Sequence, residues 1–489
     1  MTVMSANPID HSAPLGAHTT LVDQLVQWAE QRIQQQVFRP GMRMPSVRQL
    51  AEERGVSRFT VVAAYEKLVA RGHLLARRGA GFFVREATPA ASHQGNARAK
   101  SAPARVKPQQ AINMGWMVRN MTSGIPSDLS PGSGYLPPDM CGGDLLKMGL
   151  RALASHSTSH QLAQGASAQG YAPLRTQIQR TLAEREIQAH PSQILTTNGA
   201  AQAIDLIFRM VLRPGDTVLV GEPGWCNPLL GLQGVEVVGV PYTLKGPDVQ
   251  ALTALVEKHK PKLMFLNPVL HNPTGTLLSA ATAYQILRLA EAHDILVIED
   301  DIYSDFLPPG MAVTRLASLD QLRRVVYVNS YSKMLAPNIR VGYLAGPAEL
   351  VDTLTTHKLL TALTTPEINE RIVYKALTEG SYRKHCQRVH ATLDSLREPA
   401  FKRMQDLGLQ AFCQPQAGFL GWFNTGVDTN HLAALGLDAG YLLRPGALFS
   451  LQQTPSPWMG INIATSHDPG MLAWLDKTLN QLRRRSEKP

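Results

Sequence analysis

The chain has 489 residues, 44% of them hydrophobic and 18% charged, with a formal net charge of +10. That length exceeds one ordinary domain and allows a substantial core. No apolar run is long enough to cross a bilayer, and the first twenty residues are polar and proline-broken, unlike a signal peptide. Four dispersed cysteines (Cys141, Cys226, Cys386, Cys413) lack metal-like or CxxC spacing, so a membrane protein, a disulfide scaffold and a zinc module give way to a reducing, cytoplasmic setting without metal.

Residues 1–18 are expected to be disordered, and a small head follows over 19–86. Within it, residues 19–36 repeat apolar side chains at Leu21, Leu25, Val26, Trp28, Ala29 and Ile33, which predicts a helix. After the loop "RPGMRMPS", Ser46 stands where an N-cap belongs before "VRQLAEERG". Gly55 closes that helix, and Ser57 caps the next, "RFTVVAAYEKLVARG". Two helices joined by a glycine-containing turn have a helix-turn-helix layout, with Arg58 and Thr60 at the start of the second, where such helices meet base edges and phosphates. "HLLARRGAGFFV" predicts two short strands around Arg77, Arg78, Gly79 and Gly81, a turn able to approach a phosphate closely.

From Arg39 to Arg85 ten Lys and Arg face three acids, an excess of seven that accounts for most of the whole chain's charge. A small helical domain with a solvated basic face would carry the same charge; caps, turn and basic hairpin together favour DNA. Residues 87–112, rich in Ala, Pro, Ser, Gln and basic residues, cannot bury a core and read as a flexible linker with ends roughly 25–30 Å apart.

The body, 113–489, alternates helical stretches with apolar strands such as "VLVGE", "LMFLNP", "LVIEDD" and "VVYVNS", the signature of an α/β domain with a mostly parallel sheet. Ligand-binding residues of such sheets gather at the carboxyl ends of strands. Gly199 and Ala200 open a long helix, which suits a phosphate or simply a tight helix start. Trp225, in a Gly/Pro-framed loop, can stack on a flat heterocycle or merely pack. Asn272, in "HNPTG", can donate to a phenolate or serve its turn. In "LVIEDDIYSDF" a buried strand runs into Glu299, Asp300 and Asp301; three acids there need something cationic unless the loop is solvated. In "SYSKMLAPNIRVGY", Lys333 lies among Ser330, Ser332 and Tyr331, with Arg340 seven residues on: an amine able to condense with an aldehyde, and a guanidinium for that aldehyde's phosphate.

Residues 19–85, with "RMPSVRQLAEERGVSRFTVVAAYEKLVARGHL", resemble the winged-helix domain of the GntR family of bacterial regulators. The resemblance implies DNA contacts by Arg43, Arg48, Arg58, Thr60 and Gly81, with Arg77 and Arg78 supporting the wing; Ser46, Ser57 and Gly79 complete the set assigned to the DNA face. The ordered body motifs resemble the fold-type I pyridoxal phosphate enzymes of the aspartate aminotransferase superfamily. This implies that Lys333 forms the imine with pyridoxal 5′-phosphate. Asp300 would pair with the ring nitrogen, Asn272 and Tyr303 would hold the phenolic oxygen, and Trp225 would stack on the ring. Gly199, Ala200, Ser330, Ser332 and Arg340 would bind the phosphate.

Head and body together resemble the MocR-type regulators, which implies a head-to-tail homodimer, a double-stranded DNA operator, and a small-molecule effector that is the cofactor, an amine or an amino acid. A working aminotransferase with an added DNA-binding module is the alternative. Two departures from the superfamily pattern stand out. Gly460, in "WMGINIATSHD", falls where an arginine normally holds the substrate α-carboxylate, and "LAQGASAQGYAPLR" lacks the tyrosine that normally reaches the partner's phosphate, although Tyr171 is near. Loss of the guanidinium predicts a poor transaminase whose effector is the cofactor or an amine without an α-carboxylate. Arg444, in "LLRPGALF", is a second candidate partner for a carboxylate, set against the ordinary occurrence of arginine in loops.

Overall fold

A computed structural model describes residues 20–85, 112–225 and 233–486. The chain divides into two compact units, Met1–Val106 and Lys107–Pro489, each considered by itself. The expectations of a disordered 1–18 and a linker over 87–112 lie outside the described residues, apart from Ile112.

In the head, α1 (Leu21–Gln34), α2 (Val47–Arg54) and α3 (Arg58–Ala70) precede a hairpin of β1 (Leu74–Arg77) and β2 (Gly81–Val84). Ser46 Oγ accepts from the Gln49 N–H (3.2 Å) and Ser57 Oγ from the Thr60 N–H (3.0 Å), so each serine satisfies an N–H that the first turn leaves unpaired. Gly55 takes the left-handed conformation (φ 63°) between α2 and α3. Leu25, Val26, Leu50, Val61, Leu68 and Leu74 form the core, whereas Leu21, expected on the apolar stripe, is 54% exposed at the end of α1.

The body is built on a sheet of β3 (Ile194–Thr197), β4 (Thr217–Glu222), β5 (Glu236–Thr243), β6 (Gly246–Pro247), β7 (Leu263–Leu266), β8 (Leu296–Asp300), β9 (Val325–Ser330) and β10 (Gly342–Ala345), in the order β3-β10-β9-β8-β7-β4-β5-β6. Strands β5, β4, β7, β8 and β9 are parallel neighbours, and β10 runs antiparallel between β9 and β3. Val218, Val220, Ile298 and Val326 pack on one face, and Leu219, Val297, Val325 and Tyr327 on the other. Both faces are covered, which is why these strands read as continuous apolar runs. A smaller antiparallel sheet, β11 (Gln410–Ala411), β12 (Leu420–Asn424), β13 (Arg444–Pro445) and β14 (Trp458–Asn462), has the order β11-β12-β14-β13.

Among the described residues, Cys141, Cys386 and Cys413 are free thiols and no helix is long and apolar enough to cross a membrane. Replacing the cap by Ser57→Ala is expected to lower the stability of the head by about 1 kcal/mol, read as a lower thermal midpoint of the full chain's head transition, with Ser57→Asp retaining the wild-type midpoint.

Candidate functional site

The polar residues singled out in the body meet at the carboxyl ends of β3, β7, β8 and β9. At the end of β8 the three consecutive acids have different surroundings. Glu299 accepts the Leu316 and Ala317 N–H groups (3.1 and 2.7 Å) and so caps the short helix Leu316–Asp320. Asp301 accepts from Arg315 Nε (2.9 Å), the Tyr327 hydroxyl (2.7 Å) and the Ser304 hydroxyl. Asp300, 3% exposed, keeps an Oδ1 with no partner. Burial, then the neighbouring Asp301, pushes its carboxyl up to about 7, against the pull of Lys333. Glu299 is thus met by backbone N–H groups and Asp301 by the Arg315 cation, although Asp301 Oδ1 has no partner, whereas Asp300 has neither an ion pair nor a partner for its Oδ1.

Lys333, half-buried just beyond β9, donates to the Gly134 carbonyl (2.8 Å) and stands 4.1 Å from the centre of the Tyr135 ring and 5.8 Å from that of Tyr303. Desolvation, reinforced by the Arg444 guanidinium, brings its amine down to about 7. An amine so shifted is about half neutral near pH 7, and its neutral form is free to attack a carbonyl.

Beside it lies a cup. Gly199 (φ 76°) precedes the helix Ala200–Val211, whose first N–H groups are unpaired. Arg340 Nη2 donates to the Asn198 carbonyl (2.9 Å) and its Nη1 to Ser332 Oγ (3.4 Å), while Ser330 Oγ donates to Ser332 Oγ (3.1 Å). A Cβ on Gly199 would collide with the Arg340 guanidinium, and one on Gly342 would stand 2.8 Å from the Ala200 nitrogen. Hydrogen alone permits so close an approach. Gly199, Ala200, Ser330, Ser332 and Arg340 therefore share one small space with N–H, hydroxyl and guanidinium donors.

Asn272 is buried, with Oδ1 unpartnered, and its N–H donates to Asn267 Oδ1 (2.7 Å). Asn267 Nδ2 in turn donates to the Asp300 carbonyl (2.6 Å), joining the loops after β7 and β8. Tyr303 is buried against Phe306 and Phe419. Trp225 is half-buried, 6.5 Å from the Phe449 ring, and lines a small cavity with Tyr242 and His271; the seven residues after it are not described.

Several residues here were invisible to sequence reasoning. Asn267 has the same Asn-Pro context as Asn272 but no motif of its own. Tyr135 and Gly134 lie in "PGSGYLPP", brought to Lys333 by Asn462, whose Nδ2 donates to the Ser133 and Tyr135 carbonyls (3.1 and 2.8 Å). Arg444, offered by the sequence as a second candidate partner for a carboxylate, lies at the site: the point where a Gly134 side chain would begin is 3.8 Å from both Arg444 Nη1 and Lys333 Nζ. Arg444, 4% exposed, pairs directly opposite Gly460 across the β13–β14 ladder, and its side chain lies over that glycine. The Tyr171 ring packs edge-on against Tyr374 (5.7 Å) beneath the Arg371 guanidinium.

In the head, Arg43, Arg48, Arg58, Arg77 and Arg78 are all exposed. Arg43 runs beside Gly81, 3.5 Å from the point where a side chain there would begin, and Arg77 stands 4.6 Å over the Phe83 ring. Arg48 pairs with Glu52 (3.1 Å). Gly79 and Gly81 take positive φ (76° and 99°) in the hairpin turn. Ser46 and Ser57 cap their helices, and the Thr60 hydroxyl lies 2.8 Å from that of Ser57. Phe59, between Arg58 and Thr60, is 84% exposed; sequence reasoning passed over it as one more apolar residue of a helix.

Residues 21–84 match the gntR family of bacterial regulatory proteins, and residues 138–475 match aminotransferase class I and II. The HTH-type transcriptional regulator TauR of Rhodobacter capsulatus is 32% identical over 89% of this chain and 90% of its own. The probable rhizopine catabolism regulatory protein MocR of Rhizobium meliloti is 31% identical over 63% of this chain and 62% of its own. Among solved structures, the α-aminoadipate aminotransferase LysN of Thermus thermophilus superposes with a TM-score of 0.67 at 24% identity, over 76% of this chain and 95% of that one. A DNA-binding regulator with a fold-type I aminotransferase body is the class these matches define. The chain belongs to the MocR-type, GntR-headed transcriptional regulators.

The cofactor of that body is pyridoxal 5′-phosphate, and the residues fit it. A buried carboxylate has no cation of its own, an amine is poised to lose its proton, and N–H, hydroxyl and guanidinium donors lie together at the start of the helix Ala200–Val211. Because the Lys333 amine titrates near pH 7 instead of its ordinary range, uptake of the cofactor by the empty protein is expected to quicken as pH rises through about 7 and then level off. Stopped-flow absorbance between pH 5.5 and 9 checks this; a rate still climbing steeply at pH 9 contradicts it.

Proposed function

We propose that this protein is a ligand-responsive transcriptional regulator whose head binds a double-stranded DNA operator and whose body senses pyridoxal 5′-phosphate itself, or a small amine or amino acid that reacts with it. The observation that carries the reading is the pairing of Lys333, its amine shifted toward neutrality, with Asp300, buried and unpartnered at Oδ1. Bound there, the cofactor supplies an aldehyde that accepts primary amines and a ring that withdraws electrons.

The chain's own groups have distinct tasks. Lys333 offers its neutral amine. Asp300, ionised by a ring-nitrogen cation, holds that proton in place. Asn272 and Tyr303 address the phenolic oxygen, and Trp225 covers a ring face. The cup of Gly199, Ala200, Ser330, Ser332 and Arg340 takes the phosphate through charge-assisted hydrogen bonds.

In the head, Arg43, Arg48, Arg58, Arg77 and Arg78 neutralise phosphates, and Gly79 and Gly81 let the wing approach the backbone. Ser46 and Ser57 position the starts of α2 and α3. Thr60 and Phe59 face base edges, where an exposed aromatic suits a thymine methyl. A head-to-tail homodimer, with apolar surface offered by Leu360 and Leu363 (81% and 72% exposed), suits an operator of two half-sites. A DNA partner implies a cytoplasmic setting. The effector acts by binding two arrangements of the dimer with different affinity.

The likeness of the body to 2-aminoadipate transaminase of Thermus thermophilus, 29% identical over 58% of this chain and 72% of that protein, favours a second reading, a working aminotransferase with an added DNA-binding module. Sustained turnover of an amino donor and a keto acid would select it.

Purified protein with pyridoxal phosphate is expected to show a visible band that borohydride fixes and that Lys333→Ala lacks; a colourless wild type overturns the reading. Asp300→Ala is expected to weaken cofactor affinity roughly 10- to 100-fold, the loss of a charge-assisted hydrogen bond, measured by equilibrium dialysis. On a footprinted fragment from upstream of the protein's own gene, Arg58→Ala is expected to cost about 1–3 kcal/mol of binding, with Phe59→Ala narrowing the gap between thymine- and uracil-containing versions of the site.

A further inference from the structure

Arg444 presents a problem of charge. Its side chain is 4% exposed, yet Nε and Nη2 have no hydrogen-bond partner. Its ring neighbour is Phe449, 5.5 Å from Cζ. Burial lowers its pKa to about 10, so it remains a cation at neutral pH. A buried cation without an anion is unfavourable unless a ligand supplies one.

The geometry indicates where that ligand lies. The point where a Gly134 side chain would begin is 3.8 Å from both Lys333 Nζ and Arg444 Nη1. The two nitrogens are therefore no farther apart than twice that distance, a gap that the nitrogen and carboxylate of an α- or β-amino acid span. Position 460 explains how Arg444 comes to be there. Gly460 lies opposite Arg444 on one side and Trp422 on the other. A Cβ on it would collide with Arg444 Nε and stand 2.9 Å from Cζ. The space over position 460 is filled by the Arg444 side chain from β13, which a side chain at 460 would have to displace.

We propose that Arg444 anchors the acidic group of the effector, which is therefore an amine bearing a carboxylate one or two carbons from its nitrogen. The carboxylate meets the free guanidinium edge while the amine takes the place of the Lys333 nitrogen. This departs from the expectation drawn from Gly460 alone, that the effector is the cofactor or an amine without an α-carboxylate. It rests on the cofactor reading above, and its test separates the two.

Protein loaded with pyridoxal phosphate is titrated with alanine, β-alanine and ethylamine while the visible band is followed. The wild type is expected to respond to at least one of the two acids at concentrations roughly 10- to 100-fold below those for ethylamine. Arg444→Met is expected to lose that preference, and Arg444→Lys to keep part of it. Gly460→Ala, which leaves the arginine in the chain but crowds it, is expected to weaken the acids selectively. The exchange Arg444→Gly with Gly460→Arg is expected to restore the preference. The band of each unliganded variant reports whether its pocket is built. Ethylamine binding the wild type as tightly as both acids, or a coloured Arg444→Met protein with undiminished preference, overturns the proposal. A colourless wild type overturns the cofactor reading beneath it, and this proposal with it.

Discussion

Three ionisable groups, Lys333, Asp300 and Arg444, converge at one end of the body's main sheet with fewer partners than their charges require. Water would satisfy them, but burial largely removes it from Asp300 and Arg444 and desolvates the Lys333 amine. Each is held in that state by something rigid: Asp300 by β8, Lys333 by the turn after β9, and Arg444 by the β13–β14 ladder. The surrounding fold maintains this imbalance, which a phosphorylated aldehyde and an acidic amine would relieve together.

The sorting of the three acids after β8 illustrates how the scaffold sets chemistry. Glu299 and Asp301 are as buried as Asp300, but one caps a helix and the other meets Arg315 and Tyr327. The Arg315 cation beside Asp301 and the N–H groups beside Glu299 leave Asp300 as the acid with neither. Asn267 adds a constraint between loops, since one amide fixes both the Asp300 carbonyl and the Asn272 N–H. The relative placement of the loops after β7 and β8 is therefore held by the protein itself.

Much of this was legible in the sequence because its causes are local. Caps at Ser46 and Ser57, the left-handed Gly55, and apolar runs long enough for a buried parallel strand all follow from neighbours a few residues apart. The five motifs were legible as well, since strand ends in such a sheet must face one cleft. What could not be read depends on tertiary approach. Tyr135 reaches Lys333 through a loop held by Asn462, more than three hundred residues away in the chain. Arg444 and Gly460 are sixteen positions apart and become neighbours only through strand register. The sequence offered Arg444 as a candidate, but not its place beside Gly460.

The mutual exclusion at that ladder pair also constrains how such a chain can have arisen. An arginine at 460 would have to push the Arg444 side chain from its place, and two guanidinium groups there would repel each other besides. Passage from one arrangement to the other by single substitutions is therefore easiest through a form with a cation at neither site. Such an intermediate is indifferent to the ligand's acid, and so open to recruitment toward a different signal before the second arginine appears.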